Sequence, residues 1–126
     1  GVDIRLDRLA LPRVDGPLVV EGAGGLMVPI SETILMIDLF AHWRQPVILC
    51  ARTALGTINH SLLSIEALRA RDVPIAGIAF IGDEHAENER IIPALAKVPA
   101  LGRLPMLAEM TPDALAHAFA RHINLP

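Results

Sequence analysis

The chain has 126 residues, of which 52% are apolar and 20% charged, and its formal net charge is −3. This length suffices for one domain with a hydrophobic core, and the composition is too apolar for a disordered segment. The negative charge argues against a nucleic acid partner, because phosphate backbones require a basic excess. No apolar run approaches the roughly 20 residues of a membrane span, and no signal-peptide pattern opens this sequence, so we expect a soluble, cytoplasmic protein without membrane partners.

In chain order, apolar segments of strand length alternate with segments of helix length. Residues 2–9 have the pattern of the tail of an amphipathic helix, which indicates a start in the middle of a fold. The predicted strands are residues 18–21, 47–51, 75–81 and 101–104. The predicted helices are residues 34–43, 58–71, 84–96 and 112–121.

This alternation predicts βαβ units. Strands so uniformly apolar are expected to be buried on both faces, with Cys50 as a small core residue. Right-handed crossovers then give an α/β fold, a parallel sheet with helices on both faces. In such sheets ligands bind at the carboxyl ends of the strands, so the turns after the strands are the candidate sites.

The first of these turns follows an apolar strand and begins with Glu21, after which come Gly22, Ala23, Gly24 and Gly25. A glutamate there can bind Mg²⁺, and the glycines let the backbone approach phosphates. The alternative is a tight turn with a solvated glutamate. No GxxxxGK[ST] phosphate loop occurs, and the single lysine, Lys97, lies in an unrelated setting, so a nucleotide site is only half present.

The second turn passes Gly56 and enters a helix for which Thr57 is a plausible N-cap. Free N–H groups at that end would attract a carboxylate, mainly through hydrogen bonds. The alternative is an ordinary capped helix with Asn59 and His60 exposed. In the third turn, Gly82 and Asp83 could contact a nucleotide base, although Asp83 as an N-cap is the simpler interpretation.

Other polar residues do not have the spacing of a metal site. Glu84, His85, Glu87 and Glu89 do not converge on one point, so we interpret them as a solvated face. The remaining histidines have no ligand partners at suitable spacing and are expected at the surface.

Considered together, the motifs go beyond a generic fold. Residues 19–25 (VVEGAGG), 55–60 (LGTINH), 76–78 (AGI) and 102–109 (GRLPMLAE) occur in an order that resembles dethiobiotin synthetase. The resemblance covers nearly the whole chain, but only the C-terminal half or slightly more of that family. The N-terminal phosphate-loop part of the family has no counterpart here.

The resemblance implies a P-loop NTPase-like, three-layer α/β/α fold, of which residues 1–126 form the C-terminal portion of a single domain. It implies a parent enzyme, an ATP-dependent cyclo-ligase of biotin biosynthesis. That enzyme forms the ureido ring of dethiobiotin from diaminopelargonic acid, CO₂ and MgATP. The implied cofactor is Mg²⁺, with ATP as substrate, and the implied assembly is a homodimer with shared active sites. This chain alone, with no catalytic residues of its own, is expected to be inactive.

The family's site residues map onto this chain through the matching motifs. The resemblance makes Glu21 the magnesium ligand, and it makes Leu55 a contact of the substrate's alkyl chain. The implied ATP-binding residues are Glu21, Gly22, Ala23, Gly24, Ile81, Gly82, Pro105, Met106 and Leu107. The implied contacts of the substrate carboxylate, supplied from the partner subunit, are Gly56, Thr57, Ile58 and Asn59.

This chain departs from the family's pattern at the residue that would recognise the adenine base. The family commonly has an asparagine near the end of the third strand, where this chain has Ile81, Gly82 and Asp83. Backbone groups of Ile81 and Gly82, or the Asp83 carboxylate, could substitute for it.

Two other functions stay open. One is an ATP-dependent enzyme of the cobyrinic acid a,c-diamide synthase type, which the LGTINH motif argues against. The other is a non-catalytic dimerisation or regulatory module that lacks a phosphate loop.

Overall fold

The computed structural model describes residues 4–126. Its strands are β1 (Val47–Arg52), β2 (Ile75–Ile81) and β3 (Ala100–Leu104). Its helices are α1 (Met36–Trp43), α2 (Thr57–Arg69), α3 (Ala86–Ala96) and α4 (Pro112–His122). Of the helix predicted over residues 2–9, the described part forms only a 3₁₀ turn, Leu6–Arg8, and residues 1–3 lie outside the described residues.

The strands form one parallel sheet in the order β1-β2-β3. The connections from β1 through α2 to β2 and from β2 through α3 to β3 both move in the same direction across the sheet. Right-handed connections of this kind place their helices on the same face, and α2 accordingly contacts α3. On that face Ile78 and Phe80 of β2 pack against Ile65 of α2 and Ile92 of α3, all almost fully buried. Burial of side chains this large stabilises the fold by about 1.5–3 kcal/mol each.

The opposite face of the sheet has a separate, smaller core. Ala79 of β2 and Leu101 of β3 pack there against Ile123, which follows α4. Ile123 is held by an antiparallel bridge to Gly102 of the edge strand. The predicted α/β architecture, a parallel sheet with helices on both faces, is confirmed.

The predicted strand at residues 18–21 is wrong. These residues form no strand, and Val19 is 93% exposed. A strand requires the hydrogen bonds of a neighbour, and residues 18–21 pair with no other described backbone.

The prediction that every strand is buried on both faces is also wrong for β1. Ile48 and Cys50 are exposed, so Cys50 is not a core residue. The reason is the position of β1 at the edge of the sheet, where α2 covers one of its faces and the other stays open among the described residues.

The glycine-rich turn is positioned by α1 rather than by the sheet. A Cβ placed on Gly22 would lie 2.6 Å from Cζ of Phe40 and 3.4 Å from Cγ of Met36. The backbone after the turn is bonded to the start of the helix, since Ile37 N–H donates to the Leu26 carbonyl at 2.9 Å. Glycine is therefore required here for close packing.

The Asp38 carboxylate holds the start of α1 through two hydrogen bonds. Asp38 accepts a hydrogen bond from the Leu35 N–H at 2.9 Å and another from Nε of Arg71 at 2.9 Å. The Leu35 hydrogen bond first, and the Arg71 guanidinium second, hold the pKa of Asp38 below its ordinary value. Asp38 thus joins the start of α1 to the loop between α2 and β2.

We expect Asp38→Asn to destabilise the fold by about 0.5–1 kcal/mol, because the neutral amide loses the charge that strengthens the hydrogen bonds with Leu35 and Arg71. Because the folded pKa of Asp38 is depressed, its contribution is complete above the unfolded value of 3.8 and is lost as the pH falls through the folded pKa. Urea denaturation of both proteins at neutral and acidic pH measures this difference. Asp7→Asn, which breaks an exposed pair with Arg5, is the control and should change stability little. An equal effect of Asp38→Asn at both pH values would contradict the ionic contribution.

We expect Gly22→Ala to destabilise the fold by about 1–3 kcal/mol, because the added methyl group overlaps the Phe40 ring. In a Phe40→Leu background the ring is absent, so the same substitution should cost much less. A double-mutant cycle by thermal or urea unfolding measures this coupling. Additive effects would show that the turn does not pack on α1.

Candidate functional site

The parallel sheet brings the predicted turns to one edge. The turn after β1 contacts the end of β2, since the Thr53 N–H donates to the Ile81 carbonyl at 3.2 Å. The turn after β2 contacts the end of β3, since the Gly82 N–H donates to the Leu104 carbonyl at 3.0 Å. The candidate site is therefore a row of connected loops at the carboxyl ends of the strands.

A cavity of about 340 Å³ lies between the glycine-rich turn, β1 and the first half of α2. Gly24 lines it together with Arg52, which brings a positive charge, and with His60 and Ser61 of α2. The structure thus brings one of the predicted phosphate-binding glycines to the carboxyl end of β1.

Glu21 lies within electrostatic reach of the same strand. Partial burial raises the pKa of the Cys50 thiol, and the negative charge of Glu21 adds to this rise. Glu21, Ala23 and Gly24 are exposed, and Gly22 is half-buried against α1. Of the predicted phosphate and magnesium residues in this turn, Glu21, Ala23 and Gly24 are therefore accessible at the surface.

The donor set fits a magnesium ion only in part. Within residues 4–126, no group of three or more His, Cys, Asp or Glu side chains is arranged to hold a metal. Mg²⁺, however, usually takes one or two protein carboxylates and completes its shell with water and phosphate oxygens. A single exposed carboxylate at Glu21 is consistent with that mode of binding.

A second cavity, of about 530 Å³, lies at the N-terminal end of α2. It contains all the residues predicted to bind the substrate, which are Leu55, Gly56, Thr57, Ile58 and Asn59. Leu55 is fully exposed, whereas Thr57 is buried at 7% exposure.

The cap of α2 differs from the prediction. The N-cap is Gly56, with φ of 88°, and not Thr57, whose hydroxyl lies 3.5 Å from that of Ser61. Glycine adopts this left-handed conformation without strain. No side chain caps the helix, and in the described chain the N–H groups of Ile58 and Asn59 have no acceptor. Free N–H groups at a helix N-terminus are suited to bind an anion.

The prediction missed two residues of this cavity, His85 and Asn88, which come from the start of α3. Asn88 is buried at 7% exposure. A sequence signal for it exists, because Asn88, Ile92 and Ala96 share the inward face of α3 at a spacing of four. Adjacent βαβ units place the starts of α2 and α3 side by side, which brings Asn88 to the cavity.

Asp83 is not the N-cap of α3, contrary to the prediction. The helix begins at Ala86, and the cap is His85, whose Nδ1 accepts the Asn88 N–H at 3.4 Å. Asp83 is exposed and makes no hydrogen bond or ion pair with the described residues. Its carboxylate is therefore accessible at the end of the β2 turn.

The residues predicted to border adenine follow β3. Pro105 and Leu107 are half-buried and Met106 is 72% exposed. They line neither cavity, but the Gly82 to Leu104 hydrogen bond places them beside the turn after β2.

In the part of the chain that the structure describes, no helix has the length and apolar character needed to cross a bilayer.

Comparisons with known proteins agree with this architecture. A family model described as an AAA domain matches residues 1–114. The chain is 64% identical over 124 residues to a protein of Rhodopseudomonas palustris strain HaA2 named ATP-dependent dethiobiotin synthetase BioD. It is 61% identical over 125 residues to a protein of the same name from Agrobacterium fabrum strain C58.

These alignments cover 98% and 99% of this chain but 58% and 59% of the respective relatives. The chain thus spans a little under three fifths of the length of the proteins that it matches. Because the family model covers most of the chain and the similarity to dethiobiotin synthetases covers nearly all of it, the chain belongs to this family of AAA domains, and its predicted resemblance to dethiobiotin synthetase is confirmed.

Proposed function

We propose that this chain is the C-terminal portion of an ATP-dependent dethiobiotin synthetase. The parent enzyme would close the ureido ring of dethiobiotin from diaminopelargonic acid, CO₂ and MgATP. The observation that carries the proposal is the uncapped start of α2, where Ile58 and Asn59 line a cavity and their N–H groups have no acceptor among the described residues. A fatty-acid-like substrate with a terminal carboxylate matches this cavity in charge.

In this proposal the start of α2 binds the substrate carboxylate. Two free N–H groups can each donate a charge-assisted hydrogen bond worth about 1.5–3 kcal/mol, which exceeds the contribution of the helix dipole. Leu55, fully exposed beside them, offers an apolar contact for the alkyl chain. The buried Asn88 adds a polar group to the same cavity.

The glycine-rich turn binds the phosphates of ATP. Gly24, which is exposed, leaves the backbone accessible, and Glu21 would supply one carboxylate to Mg²⁺, whose charge would stabilise the transferring phosphoryl group. Pro105, Met106 and Leu107 border the base.

The chemistry itself requires groups that this sequence does not contain. Phosphoryl transfer needs cations around the phosphates, and neither a phosphate loop nor its lysine occurs in residues 1–126. The cations must therefore be supplied by the region of the relatives that lies outside the match. This separates the proposal from a non-catalytic module, which would not need that region.

The first test joins this chain to the unmatched region of the Rhodopseudomonas palustris synthetase to form a chimera. We expect no MgATP-dependent turnover from residues 1–126 alone and clear turnover from the chimera, measured as phosphate release with diaminopelargonic acid and bicarbonate. In the chimera, Glu21→Gln should lower turnover at least about tenfold, because a metal ligand acts on charge in the transition state. Its stability should change by less than about 0.5 kcal/mol, as is usual for an exposed residue.

Glu32→Gln, an exposed carboxylate outside the candidate site, is the matched control and should leave turnover unchanged. Turnover by residues 1–126 alone would refute the assignment of the chemistry to the other region. A folded chimera without turnover would favour the non-catalytic module. Near-normal rates for Glu21→Gln across a magnesium titration would refute the metal role.

The second test concerns a homodimer in which Glu21 of one subunit and Asn59 of the other form each active site. Chimeras carrying Glu21→Gln, or Asn59→Pro, which removes the free N–H of Asn59 within the first helical turn, should each be nearly inactive. After subunits are exchanged in equal mixture, about half of the dimers are heterodimers with one intact site each, so about a quarter of full activity should return. Recovery is measured by phosphate release, with subunit exchange followed by mass spectrometry of differently tagged chains. If exchange occurs and activity stays absent, both residues act in one chain's site and the shared-site proposal is wrong.

A further inference from the structure

Asn88 takes an inward position of α3 where the apolar core would otherwise continue. Along the buried face of this helix, Asn88 is followed at a spacing of four by Ile92 and Ala96. Ile92 is fully buried and belongs to the same core as Ile65 of α2. One helical turn closer to the start of α3, the same face carries an amide instead of an apolar side chain. The inward face of α3 is therefore apolar up to Ile92 and polar at Asn88.

The side-chain amide of Asn88 has no partner in the part of the chain that the structure describes. The residue is 7% exposed, and its backbone N–H donates to Nδ1 of His85 at 3.4 Å. Its side chain makes no hydrogen bond with residues 4–126. Buried amides usually have a hydrogen-bond partner, because removing an amide from water without one costs free energy. The unpaired amide of Asn88 is therefore available to a ligand.

This amide is open to the cavity at the start of α2. Among residues 4–126, the side-chain polar atom that is fully enclosed without a hydrogen bond is Nε of Arg103, so neither amide atom of Asn88 is sealed from solvent. Asn88 lines the cavity of about 530 Å³ together with Ile58 and Asn59 of α2. The free N–H groups of those two residues and the amide of Asn88 thus border one space from two helices.

The groups that border this space favour an anion with an apolar chain. The backbone N–H groups of Ile58 and Asn59 can only donate, and the side-chain nitrogen of Asn88 adds further N–H donors. None of the described residues that line the cavity is acidic. Leu55 and Leu62 supply apolar wall. This combination suits a carboxylate at the end of an alkyl chain.

We propose that Asn88 is a specificity-determining residue, whose side-chain amide donates a hydrogen bond to a substrate carboxylate that the N–H groups of Ile58 and Asn59 also bind. A carboxylate has enough lone pairs to accept all of these hydrogen bonds at once. Because the three residues belong to one chain, they act on the same carboxylate whether or not the active site is shared between subunits. This inference rests on the proposed function for the identity of the substrate.

The substrate and its methyl ester separate recognition of the carboxylate from other effects. In the chimera we expect Asn88→Asp to raise the KM for diaminopelargonic acid at least about tenfold, because it places a like charge beside the substrate carboxylate. The KM for the methyl ester, which has no charge at that end, should change less than about threefold. The kcat for the acid should stay within about twofold, since the carboxylate lies at the opposite end of the substrate from the reacting amino groups.

Asn88→Leu separates recognition from packing. Leucine continues the apolar face of α3, so this variant should be at least as stable in urea as the unmutated chimera. Because it removes a donor to a charged group, it should raise the KM for the acid about tenfold. Arg90→Gln is the matched control for Asn88→Asp, since it makes the same change in net charge on the same helix but at an exposed side chain. It should change neither KM nor stability.

Direct binding gives a readout that does not require turnover. Pelargonate has the carbon chain and the carboxylate of the substrate but no amino groups, and it is titrated into the isotope-labelled chimera, whose amide groups are followed by NMR. We expect the side-chain amide of Asn88 and the backbone amides of Ile58 and Asn59 to shift with one common Kd. Asn88→Asp should raise that Kd about tenfold.

The outcomes distinguish this inference from the proposed function. In an active chimera, a silent Asn88 amide, or equal changes of KM for the acid and the ester, would overturn the inference and leave the proposed function. A lower stability of Asn88→Leu with an unchanged KM would make Asn88 merely structural and also overturn the inference. A folded, inactive chimera that binds pelargonate with the common Kd would overturn the proposed function and leave the carboxylate site. Absence of both binding and turnover would overturn both.

Discussion

The parallel pairing of β1, β2 and β3 is the constraint on which the candidate site depends. Because the strands run in the same direction, their carboxyl ends meet at one edge, and residues far apart in sequence become neighbours there. The buried side chains of β2, Ile78 and Phe80, hold α2 and α3 on one face, which sets the starts of both helices beside each other. The cavity at the start of α2 is a consequence of that packing.

Much of this arrangement was predictable from local pattern. β2 was predicted with its observed bounds, Ile75–Ile81, because a central strand buried on both faces gives a continuous apolar run between a proline and a glycine. The start of α4 follows from Thr111 and Pro112, since the Thr111 hydroxyl accepts the Ala114 N–H and proline suits the first turn. In both cases the residues that predict the strand or helix belong to that element or directly precede it.

The wrong or missed predictions share a physical cause: each feature depends on contact with a segment that is distant in the sequence. Residues 18–21 have the apolarity of a strand, but pairing is a property of two segments and the sequence of one does not contain it. Cys50 closes an apolar run, yet its exposure depends on whether anything covers that face of β1. The contact of Arg103 with Gly82 spans 21 residues and has no periodicity that would predict it.

The candidate site has two parts, the start of α2 and the glycine-rich turn, and they differ in how much of each is formed by local structure. At the start of α2, the groups available to an anion are backbone N–H groups positioned by Gly56 and by the helix itself, so they depend on no distant part of the chain. The glycine-rich turn packs on α1 and is followed by the chain around Leu26, and among the described residues the cavity beside it is lined by one cation, Arg52. A triphosphate there would carry more negative charge than Arg52 alone can balance. In the proposed function, this chain would therefore supply the groups that bind the substrate carboxylate, and phosphate binding would require the cations of another region.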